Sequence, residues 1–161
     1  MLSEPKFITR SPQPYAAIPL TVEQSEIHLH APPLIGEILG WVGRNAKQAG
    51  PVFFNYVAME PGKPMGMEVG AEIEAPVKGD DRVMVGTLPG GKYASVTWTG
   101  PYDKLRDAHM ALHEWLGKQS IGPQSLGGGK GLTLLEIYIT DPNEVPDPKD
   151  WVTEIAFKLE D

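Results

Sequence analysis

The stretch "LLEIYIT", residues 134 to 140, sets a carboxylate and a phenol two positions apart inside an otherwise apolar run. In an extended chain alternate side chains share a face. Leu134, Glu136, Tyr138 and Thr140 therefore point one way, and Leu135, Ile137 and Ile139 point the other. The second set is a core face. The first needs another explanation, because an ionised carboxylate buried without a partner costs several kcal/mol. Three outlets exist: Glu136 is solvated, it pairs with an internal Arg or Lys, or it lines a cleft open to ligands. A carboxylate among aromatic faces suits an organic cation, since each ring contact adds about 0.5–2 kcal/mol and the carboxylate supplies the countercharge. Aromatic residues recur where such a cleft would need them. Tyr56 and Tyr138 lie on equivalent strands, Trp98 ends a bent strand and Trp151 opens the last one. Met59, Met65 and Met67 would give the wall its adaptability, or else fill a core. Desolvation is expected to keep Glu136 protonated until a cation arrives, so that cation affinity rises with pH.

Other groupings carry less chemistry. His109 and His113 have the spacing of two metal ligands on one helix face, but Met110 stands where the HExxH pattern has its Glu. With Leu105, Leu112 and Leu116 centred on the apolar face, His109 falls at its edge and His113 further round. Both read as boundary or surface residues, as do His28 and His30, and no metal site or cofactor is expected. In "SLGGGKG", Lys130 is followed by Gly131, and a strand rather than a helix comes next. That reads as a connector and not as a phosphate loop. Ser95 and Ser125 have no nucleophile-elbow context.

Two helices and a set of strands must position these groups. Residues 5–23 read as extended, "PPLIGEILGWVGRNAKQAG" as a helix opened by two prolines and closed at Gly50-Pro51, and "VFFNYVAME" and "GMEVGAEIEAPV" as strands. The second half repeats the order. "RVMVGTLPGGKYASVTW" is a bent strand, "DKLRDAHMALHEWLGKQS" a helix with Asp103 as its cap, and "LTLLEIYIT" and "WVTEIAFKLE" are strands. Tyr15 echoes Tyr93, Trp41 echoes Trp115, Tyr56 echoes Tyr138 and Glu72 echoes Glu154, at offsets of 78, 74, 82 and 82. Such echoes in one order fit a duplication. At the last offset Glu136 falls on Phe54, so the scaffold does not require a carboxylate there. Glu72 and Glu154 recur, which predicts a shared structural role such as an edge-strand ion pair.

The chain has 161 residues, a formal net charge of −7 and no cysteine. It is long enough for one domain over 1–161, made of repeats at about 1–80 and 81–161, and must be held by packing alone. The acidic balance and the lack of a basic cluster argue against direct nucleic-acid binding. No membrane span or secretion signal is apparent, which predicts a cytoplasmic location.

The phrases "YASVTWTGPYDKLRDAHMALHEWL", "LEIYITDP" and "DWVTEI" resemble the GyrI-like family of small-molecule-binding domains, related to the effector domains of multidrug-sensing transcription activators. The resemblance covers nearly the whole chain. It implies an α+β fold of two strand-helix-strand-strand repeats about a pseudo-twofold, with antiparallel sheets, helices on one side and a central ligand cleft. It further implies a hydrophobic, cationic aromatic ligand of xenobiotic type facing Glu136, with Tyr138, Trp98, Trp151, Tyr56 and Met67 as the other ligand-binding residues. Some stand-alone members resemble hydrolases of cyclopropane-containing toxins, in which Glu136 would be the catalytic base. Others act on proteins, which leaves an interaction or inhibitor domain as a further alternative.

Overall fold

The structure is a computed structural model that describes residues 1–59, 62–121 and 130–159, with backbone alone at 130–132. The glycine-rich connector at 122–129 therefore lies outside the described residues. The described strands are β1 (Lys6–Arg10), β2 (Gln13–Val22), β3 (Gln48–Ala58), β4 (Met65–Ile73), β5 (Met84–Leu88), β6 (Gly91–Thr99), β7 (Lys130–Tyr138) and β8 (Val152–Lys158). The described helices are α1 (Ile27–His30), α2 (Pro32–Asn45) and α3 (Leu105–Lys118), and none is long and apolar enough to cross a membrane.

Each long helix follows from its pattern. Pro32 and Pro33 occupy the first turn of α2, where missing N–H groups cost nothing, and Ile38, Trp41 and Val42 form its buried stripe. In α3 the stripe is Leu105, Ala108, Leu112 and Leu116. Two boundaries differ from expectation. Helix α2 stops at Asn45, whose side-chain amide donates to the Trp41 carbonyl, and Gly50-Pro51 instead lies inside β3. Proline is tolerated there because the ladder with β4 is irregular between Gln48 and Val52. Asp103 does not cap α3; a 3-10 turn at Tyr102–Lys104 leads into the helix with no side-chain cap.

All eight strands form one antiparallel sheet in the order β1-β6-β8-β7-β3-β4-β2-β5. This order demands curvature. Strands β1 and β2 are six places apart, roughly 29 Å in a flat sheet, yet only Ser11 and Pro12 separate them in sequence. Three Cα steps span at most about 11 Å. Strands β5 and β6 are joined as tightly through Pro89 and Gly90. The sheet must therefore curl until its two ends approach.

The curl gives the sheet an inner and an outer face. Tyr15, Ala17, Phe53, Tyr93, Leu135 and Ile137 pack together inside. The outer core combines Ile18, Met67, Val69, Val96, Leu134 and Phe157 with the stripes of α2 and α3. Leu135 and Ile137 thus take the core face expected for them, and Glu136 and Tyr138 point toward the helices.

The strand pairings show the repeat directly. Lys6 faces Ser95 between β1 and β6, and Met84 faces Ala17 between β5 and β2, so each residue lies 78 positions from its counterpart. Phe53 faces Gly70 and Leu135 faces Ala156, which gives offsets of 82 for β3 to β7 and 86 for β4 to β8. Pro19 facing Glu68 and Thr97 facing Glu154 agree with 78 and 86. The Glu72–Glu154 echo is therefore four residues out of register. Glu154 corresponds to Glu68, and Glu72 to Lys158. An even slip preserves the face, and Arg10 pairs with both carboxylates, at 3.3 Å to Glu72 and 3.7 Å to Glu154. The ion pair is real: Arg10 reaches from the edge strand β1 to carboxylates on the interior strands β4 and β8.

Candidate ligand-binding site

Strands β3 and β7 meet at the pseudo-twofold. Phe54 faces Glu136 in their ladder, and these two residues are also repeat counterparts at the offset of 82, so the axis runs between them. Two positions further along each strand stand Tyr56 and Tyr138, counterparts of one another. Both phenols donate to the same oxygen, Glu136 Oε1, at 3.2 Å from Tyr56 and 2.7 Å from Tyr138. Two symmetry-related donors converge on one unsymmetrical carboxylate. The other oxygen, Oε2, lies 2.5 Å from His109 Nε2 on α3. An ionised carboxylate only accepts, so Nε2 carries the hydrogen.

Glu136 is 6% exposed. Burial alone would raise its pKa, but the bond and charge of His109, with the donors Tyr138 and Tyr56, outweigh that and leave it below the ordinary carboxylate value. The expectation of a carboxyl that keeps its proton in the empty cleft fails for this reason: sequence alone gave the desolvation but not the three donors. Burial first, and then the negative charge of Glu136, push both phenols above the ordinary tyrosine value. Tyr56 and Tyr138 therefore remain donors throughout the physiological range.

These groups open onto a cavity of about 1900 Å³ between α2 and α3. Phe54, Leu134 and Phe157 form part of its apolar floor, Ile35 and Leu39 line the α2 side, and Tyr102 stands on the α3 side. The Tyr102 ring meets Tyr138 edge-on at 5.5 Å and lies 4.7 Å from the Trp151 ring. His109 stacks at 6.0 Å on Phe157.

Of the residues expected at the site, the structure brings Glu136, Tyr138 and Tyr56 together on the cavity and places Trp98, Trp151 and Met67 behind its surface. The Trp98 indole donates to the Pro101 carbonyl and packs on Gly100, where the chain turns toward α3. Trp151 donates to the Val145 carbonyl and backs Tyr102. Met67 is 1% exposed, in the outer core beside Tyr56 in the ladder. Met59 and Met65 do line the cavity. Sequence reading missed His109 and Tyr102 as site residues. For His109 the usable signal was a titratable side chain at the margin of a helix's apolar face, together with a strand carboxylate lacking a partner.

A curled antiparallel sheet of two pseudo-symmetric repeats, with helices on one side and a carboxylate at the base of the cleft between them, is the architecture of a ligand-binding domain. The chain belongs to the GyrI-like small molecule binding domain family, which it matches over residues 3–160. No curated protein matches the sequence. Among solved structures it is similar to the EcmrR C-terminal domain, with TM-score 0.76 and 21% identity over 98% of this chain and 97% of that one. It spans 57% of the EcmrR chain in a DNA complex, at TM-score 0.75 and 21% identity over 98% of this chain. SAV2435 bound to tetraphenylphosphonium is also similar, with TM-score 0.71 and 14% identity over 98% of this chain and 94% of that one. At these identities the likeness speaks for the fold.

Proposed function

We propose that this domain binds hydrophobic, cationic aromatic molecules in the cleft between α2 and α3, with Glu136 as countercharge, for sequestration or sensing. One observation carries this reading: an ionised, buried carboxylate at the base of a wide, apolar, aromatic-walled cavity. A cation entering the cleft would meet the charge of Glu136 where little water competes, with the rings of Tyr102 and Tyr138 beside it. That a similar fold, SAV2435, holds tetraphenylphosphonium supports the choice of ligand class. The alternative, a hydrolase with Glu136 as base, fits less well. Oε1 already accepts two phenols and Oε2 an imidazole, and a carboxylate so stabilised in its ionised form is a weak acceptor for a proton from water.

Calorimetric titration with tetraphenylphosphonium, against triphenylphosphine oxide as neutral control, tests the reading. Glu136→Gln should weaken the cation by about 1–3 kcal/mol and leave the neutral compound nearly unchanged. Equal loss for both compounds, or no loss for either, would remove Glu136 as the countercharge.

A further inference from the structure

The countercharge already has a partner within the chain. His109 Nε2 sits on Glu136 Oε2, in the position a ligand cation would seek, and its ring stacks on Phe157 with the edge of Tyr56 nearby. The two partners are held unequally. Glu136 is fixed by two phenols from two strands, whereas His109 has a side-chain exposure of 21%, against 8% for Glu136, and reaches the cavity from the margin of α3. The imidazole is the partner that can give way. On the opposite wall α2 presents Gly36, where an added Cβ would meet open space, so that wall leaves the cavity room.

We propose that His109 sets the charge selectivity of the cleft: its imidazolium occupies Glu136 as a built-in substitute for a ligand cation, and a cationic aromatic binds by taking that place. This rests on the reading of Glu136 as countercharge. Two positive charges cannot share one carboxylate without repulsion, so the cation binds better once the imidazole is neutral. A neutral aromatic ligand leaves the His109–Glu136 pair intact and does not sense this change. The other titratable groups facing the pair are Tyr56 from β3 and Tyr138 from β7, both phenols raised well out of the neutral range. Along α3 stand Arg106, His113 and Glu114, and around the cavity His28, Tyr102 and Asp141. Of these, His28 and His113 are the other imidazoles, and neither bonds to Glu136 among the contacts of the described residues.

The test separates His109 from those histidines. Tetraphenylphosphonium carries a charge that does not titrate, so any pH dependence of its binding belongs to the protein. Wild type should lose roughly tenfold in affinity between about pH 8 and about pH 6. His109→Gln keeps an N–H donor for Glu136 and cannot become a cation; whatever its affinity at the upper pH, it should hold the same affinity at the lower. By reciprocity, saturating tetraphenylphosphonium should move the titration of the His109 ring protons in wild type to lower pH, seen by NMR, while triphenylphosphine oxide should not. The NMR arm needs no variant to fold. A flat wild-type profile, an unchanged profile in His109→Gln, or a His109 titration indifferent to the cation would each overturn the proposal. If Glu136→Gln leaves cation binding intact, the underlying reading of the site fails; if it weakens the cation while His109→Gln keeps the wild-type pH profile, only the role of His109 fails.

Discussion

At the scale of single residues, Glu136 is held by three donors of unequal quality. Tyr138 donates at 2.7 Å and Tyr56 at 3.2 Å, so Tyr138→Phe should destabilise the fold by about 1–2 kcal/mol and Tyr56→Phe by less. Chemical denaturation at neutral pH measures both. The pH dependence has a definite sign. The folded carboxyl is held below the ordinary value of 4.5, so its contribution to stability is complete above that value and is lost as pH falls through the lowered one. Removing a phenol brings the folded value upward, so the acid loss of stability should begin at higher pH in Tyr138→Phe than in wild type. The strand alternation around Glu136 was legible in the sequence because period-two patterning needs only neighbours. His109 was not, because its partner lies 27 residues away and the pairing exists only once α3 packs on the sheet.

At the scale of elements, the turn into α3 is built around Gly100. Its φ is +153°, and an added Cβ would come within 2.6 Å of the Trp98 ring. Its N–H donates at 2.8 Å to the carbonyl of Trp151. Gly100→Ala should therefore cost about 1–3 kcal/mol and disturb Tyr102, two residues on, which thermal unfolding and near-ultraviolet dichroism would register. Trp98 and Trp151 look like ligand contacts in the sequence because they sit at strand ends next to the site. Their indole N–H groups are satisfied by nearby carbonyls, with Trp98 packed on Gly100 and Trp151 against Tyr102. Helices and strands were legible from apolar period and from proline and glycine. The β3 start was not, because Gly50-Pro51 reads as a stop signal unless the irregular ladder is known. The Glu72 echo misled for a related reason: a local match carries no information about register.

At the scale of the whole molecule, closure of the sheet depends on groups far apart in sequence. Arg10 of β1 joins Glu72 of β4 and Glu154 of β8 inside the curl. Arg10→Leu leaves two carboxylates facing each other and should cost about 1–3 kcal/mol. The opposite sign is expected for Glu72→Gln. Burial, with Glu154 adding to it and Arg10 opposing, raises the Glu72 carboxyl above its ordinary value. A raised acid contributes stability below the ordinary range and loses it as pH rises through the folded value, so ionised Glu72 is a net cost at neutral pH. Glu72→Gln should raise Tm near pH 7 and leave it little changed in acid, as scanning calorimetry would show. The duplication was legible as a sequence echo, but the exchange of β1 and β5 between halves was not, since only the pairing reveals it.

The placement of Phe54 against Glu136 has a consequence for how such a site can arise. On a true twofold, whatever stands on the axis meets its own copy. A homodimer of single repeats could set two acids or two phenyl rings at this point and never one of each. A lone negative charge faced by a ring, and flanked by matched phenols, requires two halves of different sequence, which one chain carrying both repeats supplies. Engineering of the pocket should therefore begin where the halves differ, at Phe54 and Glu136.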